Sequence, residues 1–146
     1  MKVLKGKKVE SLSADALREI YKDYSSIMID LGTGDGAFPY RRAGKNPDEL
    51  CIGLDIAADN MMGYAAKACR KPAKGGVTNV LYAVGNALDI PEELQDIADQ
   101  ICINLPWGSL RDAVVKGGEG LLHSIGKAAR HNATVDIYVA YSPLYE

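Results

Sequence analysis

The sequence predicts an α/β domain built on a doubly wound, mainly parallel sheet, and three observations carry that reading. Short apolar runs recur along the chain, separated by segments with helical spacing, which is the alternation expected of a parallel sheet. One run ends in the glycine loop Gly32-Thr33-Gly34-Asp35-Gly36, and the next ends in an acid, Asp55. The runs are apolar at successive positions, as suits strands buried on both faces. A chain of 146 residues makes one domain, 1–146, with no internal repeat and no linker.

Taken in order, Val3 to Val9 places apolar residues on either side of a Gly6 turn and reads as a small hairpin. Ser13 is a suitable N-cap for a helix from Ala14 to Asp23, with Leu17, Ile20 and Tyr24 at helical spacing. Ile27 to Leu31 is the first strand, followed by the glycine loop and a helix from Ala37. Leu50 to Asp55 is the second strand, and Ala57 to Lys71 a helix that Pro72 stops. Gly75-Gly76 makes a turn into a third strand, Val80 to Val84, and Pro91 to Ile97 is a short helical connection. Gln100 to Leu105 is the fourth strand, broken by Pro106. The helical segment Leu110 to Arg130 can divide at Gly117-Gly118, and Val135 to Ala140 is the fifth strand.

Hydrophobic residues at 47% and charged residues at 25% are those of an ordinary globular protein, which excludes a disordered chain. No window approaches the ~20 apolar residues of a membrane span. The N-terminus lacks a signal peptide's apolar stretch, so a cytoplasmic protein without a membrane partner is expected. Cys51, Cys69 and Cys102 are widely spaced and odd in number, against a disulfide framework or a zinc knuckle, and read as small buried hydrophobes. The net charge of −2 hides two acid-free stretches. One holds Lys2, Lys5, Lys7 and Lys8; the other, Asn60 to Leu88, holds Lys67, Arg70, Lys71 and Lys74. Fields beyond a Debye length of roughly 10 Å are screened, so such stretches can attract a polyanion despite acids elsewhere. They are equally what a solvated face looks like.

The glycine loop parses as the G-x-G-x-x-A of a dinucleotide fold or as the G-x-G-x-G of an S-adenosylmethionine site. Charge separates the two. Asp30 and Asp35 beside a pyrophosphate would repel it, whereas beside a sulfonium and an ammonium they are favourable. Asp55 follows Gly36 at the end of the next strand, where an acid can accept hydrogen bonds from both ribose hydroxyls or cap the helix at Ala57. Asn86 and Ala87 follow the third strand, where they could border an adenine. Trp107 closes Asn104-Leu105-Pro106-Trp107 at the carboxyl end of the fourth strand, beside the topological switch point, and is poised to stack.

Asp30-Leu-Gly-Thr-Gly-Asp-Gly36, the Ile-Gly-Leu-Asp55 strand, Arg70-Lys-Pro-Ala-Lys-Gly-Gly76 and above all Leu105-Pro-Trp-Gly-Ser-Leu110 resemble the 16S ribosomal RNA adenine-N1 methyltransferases of aminoglycoside resistance. The likeness covers essentially the whole chain, the N-terminal hairpin included. It implies a class I, Rossmann-like methyltransferase acting with S-adenosyl-L-methionine on 16S rRNA of the 30S subunit, as a monomer. The resemblance makes Gly32, Gly34 and Asp55 cofactor contacts and sets Asp30 beside the methionine amine; Thr33, Asn86, Ala87 and Asn104 join that set from their places in the loop and at the strand ends. Trp107, with Pro106 and Ser109, forms the catalytic set, Trp107 being one wall of a cage for a flipped adenine. Lys67, Arg70, Lys71 and Lys74 would dock rRNA phosphates.

Two departures from the family pattern matter. Its chains run further and bring two more strands and a second stacking tryptophan, whereas Trp107 is the only tryptophan here and the sequence stops at Tyr145-Glu146. A chain incomplete at its C-terminus that binds cofactor but methylates 30S subunits little or not at all is the expectation; a noncatalytic cofactor-binding or RNA-binding relic is one alternative. The other departure is Asn104, where the family has an apolar residue. It brings Asn-Leu-Pro-Trp close to the Asn-x-Pro-Tyr of enzymes that methylate the adenine amino group, the second alternative. A dinucleotide-dependent oxidoreductase is the third. His123 and His131 lack partners and read as surface or structural residues.

Overall fold

The computed structural model describes residues 1–140; Tyr145-Glu146 lie outside them. Strands β1 (Lys2–Lys5) and β2 (Lys8–Ser11) form the hairpin. Helix α1 (Ala14–Tyr21) follows, capped by Ser13, whose hydroxyl accepts from Ala16 N–H. Then come β3 (Ser26–Leu31), α2 (Ala37–Lys45), β4 (Glu49–Asp55), α3 (Ala58–Ala68) and β5 (Val80–Val84). A single 3-10 turn, Glu92–Leu94, leads to β6 (Ala98–Asn104). Helices α4 (Gly108–Lys116) and α5 (Glu119–Ala128) separate it from β7 (Ala129–Tyr138).

These strands form one sheet of seven in the order β2-β1-β5-β4-β3-β6-β7. From β5 to β7 every pairing is parallel, as the alternating pattern predicts. The hairpin joins that sheet: β1 pairs antiparallel with β5, so the sheet is mixed. On one face, Leu17 of α1, Leu110 of α4 and Leu121 of α5 pack on Ile27, Ile29 and Leu31. On the other, Ala43 of α2 packs near Met28, Cys51 and Cys102, and Met61 and Ala65 of α3 pack on Tyr82 and Leu4. Strand order reverses between β3 and β6, and a crevice opens there at the carboxyl ends of the strands.

Several boundaries differ from the sequence reading for identifiable reasons. Helix α3 stops at Ala68 rather than Lys71, because a residue before proline is disfavoured in the α region; Lys71 is extended, with ψ 147°. Pro72 instead opens a short 3-10 turn, Pro72–Lys74. The long helical segment does divide at Gly117-Gly118, but it ends at Ala128. Ala129 and Arg130 belong to β7, where Ala129 pairs with Ala98 and the Arg130 guanidinium meets Asp99 at 3.2 Å. Pairing with β6 has overridden a stretch that local composition leaves neutral. Cys51 and Cys102 are buried, but Cys69 is exposed, because it sits at the C-cap of α3 and points out of the last turn.

Candidate functional site

A cleft of about 430 Å3 lies over the carboxyl ends of β3 to β6, bordered by Gly32, Gly34, Asp55, Asn86, Ala87, Trp107 and Ser109. Seven of the residues singled out from the sequence therefore meet in one place. The loop after β3 is held close to α4 at its first glycine: Gly32 has φ +72°, and a Cβ there would stand 2.4 Å from Cδ2 of Leu110. A Cβ at Gly34 would meet nothing within 4 Å, so the loop presents bare backbone on that side.

Asp55 takes the capping role expected of it and adds a bond to the glycine loop. Its Oδ2 accepts from Gly34 N–H at 2.9 Å, and its Oδ1 accepts from Ala57 N–H at 2.9 Å. The first bond fixes the glycine loop; the second serves the start of α3, where no side chain caps the helix. Each oxygen keeps a further lone pair, and the residue is only part-buried, so it can still accept from a ligand hydroxyl. Among the described residues, Asp55 is the one charged side chain bordering the cleft. A site with one carboxylate and no cation suits a cationic ligand and opposes a pyrophosphate.

Asp30, Thr33 and Asn104 lie beneath the loop instead of lining the cleft. Asp30 is 2% exposed; its Oδ2 accepts from the Thr33 hydroxyl at 2.6 Å and its Oδ1 from Asn104 Nδ2 at 2.9 Å. Burial pushes its carboxyl up to about 6, and the hydrogen bonds from Thr33 and Asn104 hold it from rising further. Since an ionised carboxylate only accepts, Asn104 must turn its NH2 toward Asp30, which leaves its own Oδ1 as an acceptor. Asn104 borders an adjoining hollow with Phe38, Leu105 and Tyr138. Asp35 is exposed and turned away, its Oδ1 accepting from Ala37 N–H at 2.9 Å, so the negative charge at the site comes from Asp30 and Asp55.

Pro106 is buried behind the turn, while Trp107 stands out at 83% exposed. Leu105 turns the chain with φ +47°, and α4 begins directly after Trp107. An indole held out on a short strand-to-helix turn is placed for stacking rather than for the core. Sequence reasoning missed Ile56, Asn60, Leu88 and Leu110, which also border the cleft. Ile56 could have been noticed: an apolar residue after a strand-terminal acid, 73% exposed, serves no core. His123 and His131 are exposed and remote from the cleft, and no cluster of metal-ligating side chains exists among the described residues.

The structure separates the basic set from the cleft. Arg70, Lys71 and Lys74 are exposed on the connection between α3 and β5, at the opposite ends of the strands. Lys67 is half-buried, its Nζ 5.0 Å from the Tyr40 ring centroid and 5.8 Å from that of Tyr64. The loop itself is preorganised: Lys74 N–H and Gly76 N–H both donate to Lys71 O, at 2.8 and 3.1 Å, and the Tyr40 hydroxyl donates to Gly75 O at 2.6 Å. A Cβ at Gly76 would stand 1.8 Å from the Arg70 carbonyl oxygen. Gly76→Ala is therefore expected to displace the basic loop, lowering affinity for a polyanion while leaving the cleft's ligand affinity unchanged; titrating both ligands against the variant checks it.

Over residues 2–146 the sequence matches the family described as NpmA, 16S rRNA (adenine(1408)-N(1))-methyltransferase. A protein of that description from Escherichia coli is 38% identical over 146 residues, covering 100% of this chain and 67% of the relative. One from Streptoalloteichus tenebrarius is 34% identical over 92% of this chain and 61% of the relative. The chain thus spans about two thirds of the length of the curated relatives it matches. Among solved structures, the aminoglycoside resistance methyltransferase NpmB1 superposes with a TM-score of 0.94 at 36% identity, over 98% of this chain and 69% of that one. A mutant 16S rRNA (adenine(1408)-N(1))-methyltransferase from Catenulisporales acidiphilia, with cosubstrate SAM, superposes at 0.92 with 34% identity, over 95% and 62% of the two chains. The fold is the class I, Rossmann-like fold of these methyltransferases, and the chain belongs to the 16S rRNA (adenine(1408)-N(1))-methyltransferase family.

Proposed function

We propose that the chain transfers a methyl group from S-adenosyl-L-methionine to N1 of an adenine in 16S rRNA of the small ribosomal subunit, the modification that gives aminoglycoside resistance. The observation that carries the reading is the cleft itself: a glycine loop and one carboxylate, no cation, and an indole standing free at its rim. Gly32, Gly34 and Asp55 would hold the cofactor, with Asn86 and Ala87 beside its adenine, and Asp30 and Thr33 would support the loop from below. When bound, that cofactor supplies an electrophilic sulfonium methyl.

Trp107 stacks on the flipped target base, an interaction worth roughly 1–3 kcal/mol. Ser109, on the first turn of α4, helps to place base or cofactor, and Pro106 fixes the turn from which Trp107 projects. Neutral adenine N1 carries a lone pair and no proton, so no side chain has to remove one. That matches a cleft without histidine or lysine. Positioning by these residues can supply up to ~7–11 kcal/mol of the barrier. Asn104 favours a second reading, methylation of the exocyclic amine, because Asp30 leaves its Oδ1 free to accept from that amine.

Incubating purified 30S subunits with the protein and labelled S-adenosylmethionine, then mapping the labelled base and atom, tests both readings. Label on adenine N1 supports the first, label on N6 the second, label elsewhere overturns both, and no label favours the noncatalytic relic over either. Asp55→Ala is expected to weaken S-adenosylmethionine binding by roughly 1–3 kcal/mol through the loss of a charged acceptor. Calorimetric titration of the variant measures it, and unchanged affinity removes Asp55 from the site.

A further inference from the structure

We infer that the N-terminal hairpin is a second phosphate-docking element, and that Lys5, Lys7 and Lys8 continue the basic surface of Arg70, Lys71 and Lys74 onto the edge of the sheet. The inference rests on the rRNA reading above and extends it to a part of the chain with no role in the cleft. Four observations converge on it.

The hairpin lysines stand exposed around the turn, Lys5 and Lys8 directly opposite each other in the β1–β2 register. Like charges facing each other across a strand pair destabilise the pair. A hairpin selected for stability alone would put an acid at one of those positions. These cations also stand alone. Arg18, Lys22, Arg42, Arg111, Lys127 and Arg130 each have a carboxylate within salt-bridge distance; among the described residues none of the six in this set has one, nor do Lys2, Arg41, Lys45, Lys67 and Lys116. Glu10, the hairpin's own acid, sits across from Val3, away from the turn.

Placement supplies the third observation. Because β1 runs antiparallel to β5, its Lys5 end lies toward the amino end of β5, which is where the Arg70 to Lys74 connection enters. Lys5 and Arg70 border the same groove on the surface, which Glu10 also lines. Finally, both elements are shaped in advance. Gly6 has φ +63° in a two-residue turn, and the Lys71 to Gly76 loop is closed by its own backbone hydrogen bonds. Preformed cations lose less freedom on binding than cations on mobile tails.

The chemistry that fits is a phosphodiester backbone presented on a rigid surface. β5 is five residues long, so its two ends are about 17 Å apart. A partner that fills the cleft and also reaches the hairpin must span at least that distance. Lysines on an edge strand also guard against edge-to-edge aggregation, and that role must be told apart from docking. Charge reversal does so, since glutamate guards an edge as well as lysine but repels phosphate.

The test is binding of the labelled chain to purified 30S subunits across a potassium chloride series. The unaltered protein is compared with K5E/K7E/K8E, with R70A/K71A/K74A, and with R18E/K22E/K116E as a reversal of equal charge elsewhere. The hairpin variant is expected to lose at least tenfold in affinity at low salt, with S-adenosylmethionine binding unchanged, while the reversal elsewhere loses much less. Lys7 lies in the turn outside the ladder, so K7A removes one cation without touching the register; it is expected to lower the log–log salt slope by about 0.9. Binding by the unaltered chain that K5E/K7E/K8E and K7A both retain in full overturns the hairpin's role alone. Absence of salt-dependent binding by the unaltered chain overturns the rRNA reading and the hairpin's role with it.

Discussion

Trp107→Ala, made in a chain extended to the family's full length, is expected to lower single-turnover methylation of 30S subunits by about 10- to 100-fold while changing S-adenosylmethionine affinity less than about 2-fold, the range that stacking worth roughly 1–3 kcal/mol per base implies. The split follows from exposure. At 83% exposed, the indole touches little of the protein, so its removal leaves no cavity and costs little stability. It borders the cleft at the rim, where a base leaving its helix would arrive, and the glycine loop and Asp55 lie deeper. Unstacking a target base costs a few kcal/mol, and that cost must be met where the base lands. Trp107→Phe keeps an aromatic face and should retain most of the rate. Protein in excess over subunits lets even slow transfer be read. Parallel calorimetry with S-adenosylmethionine separates the roles: an equal loss in cofactor affinity would make Trp107 a wall of the cofactor site and not of the base site.

Much of this was legible in the sequence, and the parts that were not have physical explanations. Strands β3, β4 and β5 were readable as short, mostly apolar runs that end at a glycine or an acid, and β6 by its Ile101 to Ile103 run before Pro106; β7, with Arg130, His131, Asn132 and Asp136, showed only its Val135 to Tyr138 end. The hairpin's membership of the sheet was not, since nothing local to Val3 and Leu4 says which edge they join; that depends on Tyr82 and Ala83 offering a free strand edge far along the chain. Arg130 looked helical because its immediate neighbours have no strand pattern, and only pairing with β6 makes it part of β7.

At the site, spacing located the cleft residues but could not say which side chains face the ligand. Asp30 and Asp35 look equivalent in the sequence, each an acid beside the loop. One is buried under the loop and bonded to Thr33 and Asn104; the other is exposed and folded back on the start of α2. Lys67 belongs by composition to the basic stretch, yet lies half-buried over Tyr40 and Tyr64, because an i, i+3 pair on α3 brings Tyr64 beneath it. Asn104 was noticed as a departure from the family pattern, and the bond to Asp30 gives it a fixed orientation that sequence alone could not supply.

That bond makes Asp30 the residue where stability and function should pull in opposite directions. Its carboxyl titrates near 6 in the folded chain against 3.8 for the unperturbed group, because burial disfavours the charge more than Thr33 and Asn104 favour it. The unfolded chain therefore gives up this proton first, so stability falls as pH rises from about 4 through about 6 and stays at the lower level above that. Asp30→Asn removes the charge but not the hydrogen bonds: the amide oxygen accepts from Asn104, and the Thr33 hydroxyl rotates to accept from the new NH2. The variant should gain on the order of 2 kcal/mol at pH 8, a rise in melting temperature of roughly 5 °C, and almost nothing at pH 4. The same change withdraws a negative charge from beneath a loop proposed to hold a cationic methionine group. S-adenosylmethionine affinity should then fall by about 10- to 100-fold, the loss that a charged hydrogen-bonding partner usually represents. In the unaltered protein, affinity should weaken as pH drops below about 6, with the pH at which it halves tracking the Asp30 carboxyl. Thermal melts of both proteins at pH 4 and pH 8, with calorimetric titrations at pH 5 and pH 8, decide the matter. Equal stability gains at the two pH values would show that packing and not charge explains the effect, and unchanged cofactor affinity would remove Asp30 from the methionine end of the site.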